Sequence, residues 1–440
     1  MIELPWGERT LDVRIPATWR VLGTFVPPTL APAADAAAAC REALAAPIGA
    51  PPLSLRDLRG KRVLLVSDDT SRPTPVKKFI WPVREALVAA GVAPGDIEIL
   101  FALGVHRPMT EAEAIDKIGA EAAAAHRWHN HDSNDLKQLE FLGTTARGTP
   151  VWLNHLLRKF DLVIPLGAIE PHILLGFSGG YKMLVPGCAG SKTIGHNHLQ
   201  GTAEREFNYV GIPAENSPMR LDLEEAASKV GREVFVVNAA LTPQAEPVRF
   251  FCGDPVQAMR TGAQFVRAHT EVVVPEQADV VIANSSPFDA DLRQGMKCVG
   301  NTFFAARPGG AMLGFVRCTE GRGDLPLPPI TLPYNWMQRL IRTIGKQRIM
   351  PLVNVMKKFD PIEQKFLAHF GLQMLHRNDI SIYSENLQPN VGKKLGIVRQ
   401  YQQVEQMIAA TVERVGREAT VAVFPQGGVT YSRGPKLEVA

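Results

Sequence analysis

The sequence predicts an α/β protein of two domains, each a mainly parallel β-sheet flanked by helices, with an active site in the interdomain cleft. Three observations lead there. Short β-rich runs alternate with helical stretches through most of the chain, as crossover helices between parallel strands require. The 440 residues exceed what one hydrophobic core usually organises. A break falls at 270–278, in TEVVVPEQAD, where one alternating series ends and another begins. The expected domains are therefore 1–272 and 278–440, the final residues either staying there or returning to the first domain.

In chain order, 61–69 (KRVLLVSDD) reads as a buried strand and 76–90 as a helix with a kink at Pro82. A strand over 96–106 and a helix over 110–119 follow. Then come strands over 161–170 and 232–241 and a helix over 254–269. The second series starts with a strand near 278 (ADVVIANSS) and a helix from about 290. Strands over 311–318 and 379–384, a helix over 404–416 and a strand over 420–424 complete it. Between them, 320–333 (EGRGDLPLPPITLP) reads as a loop because Gly and Pro punctuate it. Residues 336–369 read as helical and basic.

The bulk numbers remove several function classes. Hydrophobic residues at 45% and charged residues at 21% suit a globular chain. A net charge of +4 from 48 basic and 44 acidic residues is too mild for a nucleic-acid binder. No apolar run is long enough for a bilayer, and the first residues do not read as a signal peptide. The 5 cysteines are scattered, which argues against a disulfide framework and fits a cytoplasmic protein.

Four segments carry unusual chemistry, three of them at predicted carboxyl ends of strands, where open α/β sheets bind ligands. The first is Asp68-Asp69-Thr70-Ser71-Arg72-Pro73-Thr74-Pro75. Arg72 offers a planar fork for phosphate or carboxylate, and Asp69 either accepts from a ribose hydroxyl or orients Arg72. The second, Gly104-Val105-His106-Arg107-Pro108, places His106 as a general acid/base. The third runs from Pro171 to Gly187 (PHILLGFSGGYKMLVPG). Its glycines Gly176, Gly179 and Gly180 allow close approach of a ligand, and consecutive N–H groups suit a phosphate. Lys182 follows in apolar surroundings, which favour the neutral, nucleophilic amine. The fourth is Ser191-Lys192-Thr193-Ile194-Gly195-His196-Asn197-His198, in which Ser191 or Thr193 is expected to cap a helix. Spacing alone leaves His196 and His198 equal as metal ligands. A further cluster, His126-Arg127-Trp128-His129-Asn130-His131-Asp132, reads as a solvated loop or edge strand.

Taken in order, these segments resemble the nickel-pincer-nucleotide lactate racemase family. The shared pattern is D-x-T-x-R-P, G-x-H-R-P, P-H-x-x-x-G-F-S-G-G-x-K-x-x-x-P-G and T-I-x-x-N-H, strong over residues 60–200. The resemblance implies a 2-hydroxy acid racemase. Its cofactor would be a Ni(II) pyridinium-3,5-bisthiocarboxylic acid mononucleotide joined covalently to Lys182, with His198 as nickel ligand. Asp69, Arg72, Gly176, Ser178, Gly179, Gly180 and Pro186 would surround the nucleotide. His106 and His172 would be the two bases, and Lys297 with Gln294 would hold the substrate carboxylate. The partners implied are a small anionic 2-hydroxy acid and the cofactor-biosynthesis proteins. The same residues would also serve a sugar-acid 2-epimerase, whereas a noncatalytic cofactor carrier would need neither His106 nor His172.

The sequence departs from the lactate pattern at two places. Arg293 stands where the family implies a tyrosine, and a second guanidinium suits a dicarboxylate such as malate. On a helix, Arg293 and Lys297 share a face. No clear counterpart appears for a late tryptophan, Trp336 being the only one beyond residue 152.

Overall fold

A computed structural model describes residues 1–28, 30–201, 208–323, 325, 327, 331, 333–345, 348–349, 351 and 362–435, without side chains for 362–367. Two large sheets organise it. The first has seven strands. Its main path runs Pro247–Gly253, Val236–Leu241, Leu162–Ala168, Val63–Ser67, Ile97–Phe101, Trp128–Asn130, and the short Glu233–Val234 also pairs with Leu162–Ala168. All neighbours are parallel except Val236–Leu241 with Pro247–Gly253. The second sheet is parallel throughout. Its six strands run Arg399–Tyr401, Asp379–Tyr383, Ala306–Phe315, Ala278–Asn284, Thr420–Phe424, Arg20–Thr24.

The central strands are apolar on both faces because helices cover both. In Val63–Ser67, Val63 and Leu65 pack into one core and Leu64 and Val66 into another. In Ala278–Asn284, Val281 and Ala283 face one core and Val280 and Ile282 the other. The mixed α/β class expected from the alternating pattern is thus what the chain adopts.

Several local expectations change. Pro82 kinks nothing: the helix is Ile80–Ala89, so Pro82 lies in its first turn, where no intrahelical N–H bond is lost. The helix expected from about 290 is two short pieces, Leu292–Gly295 and Lys297–Asn301. The helix Ser191–Gln200 is preceded by Gly190 and has no side-chain cap. Thr193 Oγ1 instead donates to the Pro150 carbonyl and accepts from Trp152 N–H. Of the basic stretch at 336–369, the described parts are the helices Tyr334–Ile344 and Ile362–Arg377; much of the rest lies outside the described residues.

The pairing does not keep to the expected division of the chain. Arg20–Thr24 pairs with Thr420–Phe424, and the hairpin Ile2–Trp6/Arg9–Val13 packs Leu4, Trp6 and Val13 against the second sheet. These residues join the second sheet because its outer strand and the apolar face beside it need cover. Conversely, Tyr431 is buried among Phe177, Val210 and Met259 of the first half. Asn208 Nδ2 also donates to the Gly300 carbonyl at 2.6 Å.

Candidate active site

Strand order creates the site. From Val63–Ser67 the chain moves one way, to Ile97–Phe101 and Trp128–Asn130. Leu162–Ala168 then lies on the other side of Val63–Ser67. That reversal opens a crevice at the carboxyl ends of these strands, the usual ligand position in open α/β sheets. The loops at 68–75, 102–108 and 169–187 leave from three adjacent strands and line one cavity. Its wall includes Asp69, Arg72, His106, Glu170, Lys182 and His198, and the second half adds Arg293 and Gln294.

The first loop is pinned from below. Lys117, on the helix Glu111–Ile118, pairs with Asp68 at 2.6 Å and donates to the Arg72 carbonyl at 3.0 Å. Both side chains are almost wholly buried, at 5% and 8% exposure, so the pair is shielded from water. Arg72 Nη1 donates to Gln294 Oε1 at 3.2 Å, which ties the two halves across the cavity. Asp69 turns to His106 at 2.6 Å from Nδ1, and its other oxygen accepts from the Ser71 hydroxyl at 2.5 Å. Burial opposes the Asp69 charge, but the bonds from His106 and Ser71 and the nearby Arg72 hold its carboxyl down at about 2.

The glycine-rich segment begins with a small hairpin, Pro171–His172 against Gly176–Phe177. Across its turn, His172 Nδ1 accepts from Leu174 N–H at 3.2 Å and Leu175 N–H at 3.3 Å. Two expected phosphate-cradling glycines have a packing cause. At Gly176 (φ +74°) a Cβ would lie 2.3 Å from the Ile212 carbonyl oxygen; at Gly180 (φ +61°), 2.7 Å from that of Pro255. Gly180 N–H donates to Asn238 Oδ1, and Ser178 Oγ donates to the Ala168 carbonyl while accepting from Glu170 N–H. Behind this loop lies Arg220, fully buried, donating to the Phe177 and Gly179 carbonyls. Of the residues expected around a nucleotide, Ser178, Gly179 and Pro186 line the cavity, and Gly176 and Gly180 support it from outside.

Lys182 sits in the short turn Gly180–Met183. Burial pushes its amine well below the ordinary value, and Arg72 and Lys297 push the same way. His198 lines the cavity, whereas His196 is exposed on the opposite side of the helix. His198 Nδ1–H donates to the Ile194 carbonyl at 2.7 Å, so the lone pair of the neutral ring is on Nε2. Burial lowers its pKa to about 4, so it is neutral near pH 7. His172 and Lys297, both expected in the site, are not among the residues that line this cavity. Burial, then Lys182, Arg72, Lys297 and His198, push His172 well below the usual histidine range. Burial and Arg72 bring the Lys297 amine to about 7, against the pull of Glu170 and Asp291, and its Nζ lies 3.8 Å from the Phe288 ring centroid.

Some residues do not join the site. Trp336 is 58% exposed on the helix Tyr334–Ile344. In the histidine-rich stretch only His129 meets the edge-strand expectation. His126 and His131 are buried and bonded to the Ile97 and Ala189 carbonyls, a correction to the solvated reading. Conversely, sequence reasoning missed Glu170, Lys117 and Arg220. Glu170 had one usable signal, an acid at the end of a strand beside the P-H motif; the two cations had none.

Residues 6–208 match the family described as Lactate racemase N-terminal domain. The chain is 29% identical to the lactate racemase of Thermoanaerobacterium thermosaccharolyticum over 64% of its length and 66% of that protein's. It is 25% identical to the lactate racemase of Lactiplantibacillus plantarum over 84% of each chain. In fold it resembles the apoprotein structure of the Thermoanaerobacterium enzyme, with a TM-score of 0.81 at 24% identity over 98% of this chain and 99% of that one. A Thermotoga maritima protein is similar at a TM-score of 0.66 and 16% identity, over 90% and 97%. Among the described residues no helix is long and apolar enough to cross a membrane. A matching N-terminal domain over residues 6–208, two relatives in sequence and a shared fold over nearly the whole chain together make this chain similar to the lactate racemases.

Proposed function

We propose that the protein is an isomerase that interconverts the enantiomers of a small anionic 2-hydroxy acid, using a nickel-pincer nucleotide bound between the two halves. The observation that carries the reading is the convergence of Lys182, His198 and His106, from three separate segments, on one cavity that also holds Arg72. The residues fit such a group. It needs a neutral imidazole for the metal, and His198 is neutral with Nε2 carrying the lone pair. It needs a nucleophilic amine, and the burial of Lys182 favours that form. It needs cationic company for a phosphate, which Arg72 supplies. When bound, the nucleotide supplies the hydride acceptor and donor that 2-hydroxy acid racemisation requires.

The protein's own residues then handle protons and position. His106 and His172 are assigned to the substrate hydroxyl. Lys297 and Gln294 hold its carboxylate. Arg293, on the cavity wall, favours a second carboxylate, so a malate-like substrate is preferred over lactate. Approach of the two halves excludes water.

Produced together with the cofactor-biosynthesis proteins, the enzyme is expected to racemise malate faster than lactate. Its intact mass should carry an increment localised to Lys182, with nickel. His106→Ala should reduce turnover by about 10²–10⁴-fold while nickel stays bound. No enantiomer exchange with lactate, malate or sugar acids would overturn the activity. Exchange without the increment would overturn only the tether.

A further inference from the structure

Phe288 lies outside every motif read from the sequence, yet its ring meets a residue of the proposed site. The chain leaves the strand Ala278–Asn284 in a tight turn. Phe288 N–H donates to the Ser285 carbonyl at 2.8 Å, and Ser285 Oγ donates to Asp289 Oδ1 at 2.6 Å. The turn leaves Phe288 7% exposed and packs its ring on Gly428, where a Cβ would stand 3.0 Å from ring carbon Cδ2. Asn301 Nδ2 in turn donates to the Gly428 carbonyl at 2.8 Å. On this supported ring, 3.8 Å from its centroid, sits Lys297 Nζ.

Among the described residues no acid pairs with Lys297 and no hydrogen bond ties its amine. Asp291 instead accepts from Gln294 N–H at 2.8 Å, and Glu170 lines the cavity. Both favour a charge on Lys297 from a distance, and Arg72 opposes it. Lys182 and His172 are its other titratable neighbours, and Lys297 pushes each toward the neutral form. A ring face attracts a cation through its quadrupole and leaves the N–H donors for an anion. A carboxylate in the same place would occupy those donors and repel an anionic substrate.

We propose that Phe288 is a positioning residue of the substrate site: its ring face keeps the Lys297 ammonium charged while leaving its donors for the substrate carboxylate. This deepens the racemase reading, on which the carboxylate role of Lys297 rests. Lys297 lies three residues beyond Gln294, which lines the cavity and accepts from Arg72.

The test follows the amine in the full chain without cofactor. ¹³Cε–¹⁵Nζ spectra of lysine-labelled protein across pH give its midpoint, and Lys297→Met identifies the signal by loss. The unsubstituted chain should titrate there at about 7. Trifluorinated phenylalanine at 288 keeps the shape but drains the negative face, and should lower the midpoint by about one pH unit. Phe288→Leu should also lower it, whereas looser packing alone would admit water and raise it. Phe288→Tyr, which keeps the face, should leave it in place. A midpoint that rose or stayed put in the trifluorinated chain would overturn the proposal. In the cofactor-loaded enzyme, Phe288→Leu should raise KM for the 2-hydroxy acid about 10-fold at about pH 8, with kcat held, because the charged fraction falls by that factor per unit. An unchanged KM would overturn the link to substrate binding. Failure of the racemase reading shows separately, as absence of enantiomer exchange in the unsubstituted loaded enzyme.

Discussion

The Asp68–Pro75 loop and the Phe177–Lys182 loop flank the same cavity, and each is held by a buried cation from a neighbouring helix. The chemistry of the two clamps differs. Lys117 meets a carboxylate, Asp68, at 2.6 Å and one carbonyl, that of Arg72. Arg220 meets two carbonyls, of Phe177 and Gly179, and Glu224 acts on its charge. The first clamp is an ion pair that happens to hold backbone. The second is a backbone clamp whose charge is compensated at a distance. An ion pair is sensitive to loss of one partner and tolerant of loss of both, whereas a clamp on carbonyls has no partner that can be exchanged.

Substitution of each cation breaks the comparison open. Lys117→Met should cost most, about 3–5 kcal/mol, because Asp68 is left as a buried charge without its counter-ion. Adding Asp68→Asn should recover most of that loss, since the pair then leaves together. Denaturant unfolding of the single and double variants measures both. If the double variant were as unstable as the single, the backbone bond to Arg72, not the ion pair, would be the source. Arg220→Met should cost less, about 2–3 kcal/mol, for the two carbonyls left without a donor. Removing Glu224 as well should rescue nothing. Hydrogen exchange should rise locally at 177–183 while the 68–75 loop stays protected.

The same contrast explains what was legible beforehand. The strands Val63–Ser67, Ile97–Phe101 and Leu162–Ala168 are apolar runs buried on both faces, and the motif residues follow them directly, so composition marks both strand and site. Lys117 and Arg220 lie in EAEAIDKI and PMRLDLEEAAS, where polar and apolar residues alternate as on a solvated helix. Only the tertiary neighbours turn those cations inward. The opening strands were missed for a related reason. The Ile2–Trp6/Arg9–Val13 hairpin and Arg20–Thr24 find their cover on a sheet whose other strands lie beyond residue 278, and no local pattern reports a pairing across that separation. The glycines were legible as glycines but not by cause. Gly176 and Gly180 are required by the carbonyls of Ile212 and Pro255, which a linear motif cannot reveal.

Acid sharpens the comparison with the smallest effect. Of the two loops, only the first carries a carboxylate whose charge is maintained by its neighbours: Asp69 sits at about 2 against an unfolded value near 3.8. Its folded pKa is depressed, so its contribution is complete above the unfolded value and is lost as pH falls through about 2. The gap corresponds to about 2 kcal/mol. Asp69→Asn should therefore lower stability by about that amount near neutrality, and the deficit against the unsubstituted protein should shrink as pH falls from about 4 to 2. Arg220, which burial lowers only to about 10, keeps its charge throughout this window. The Arg220→Met deficit should accordingly stay constant over the same acid range. Unfolding free energies of the three proteins across that range make the measurement. A deficit for Asp69→Asn that held constant down to pH 2 would mean that the carboxylate stabilises its loop by shape rather than by charge.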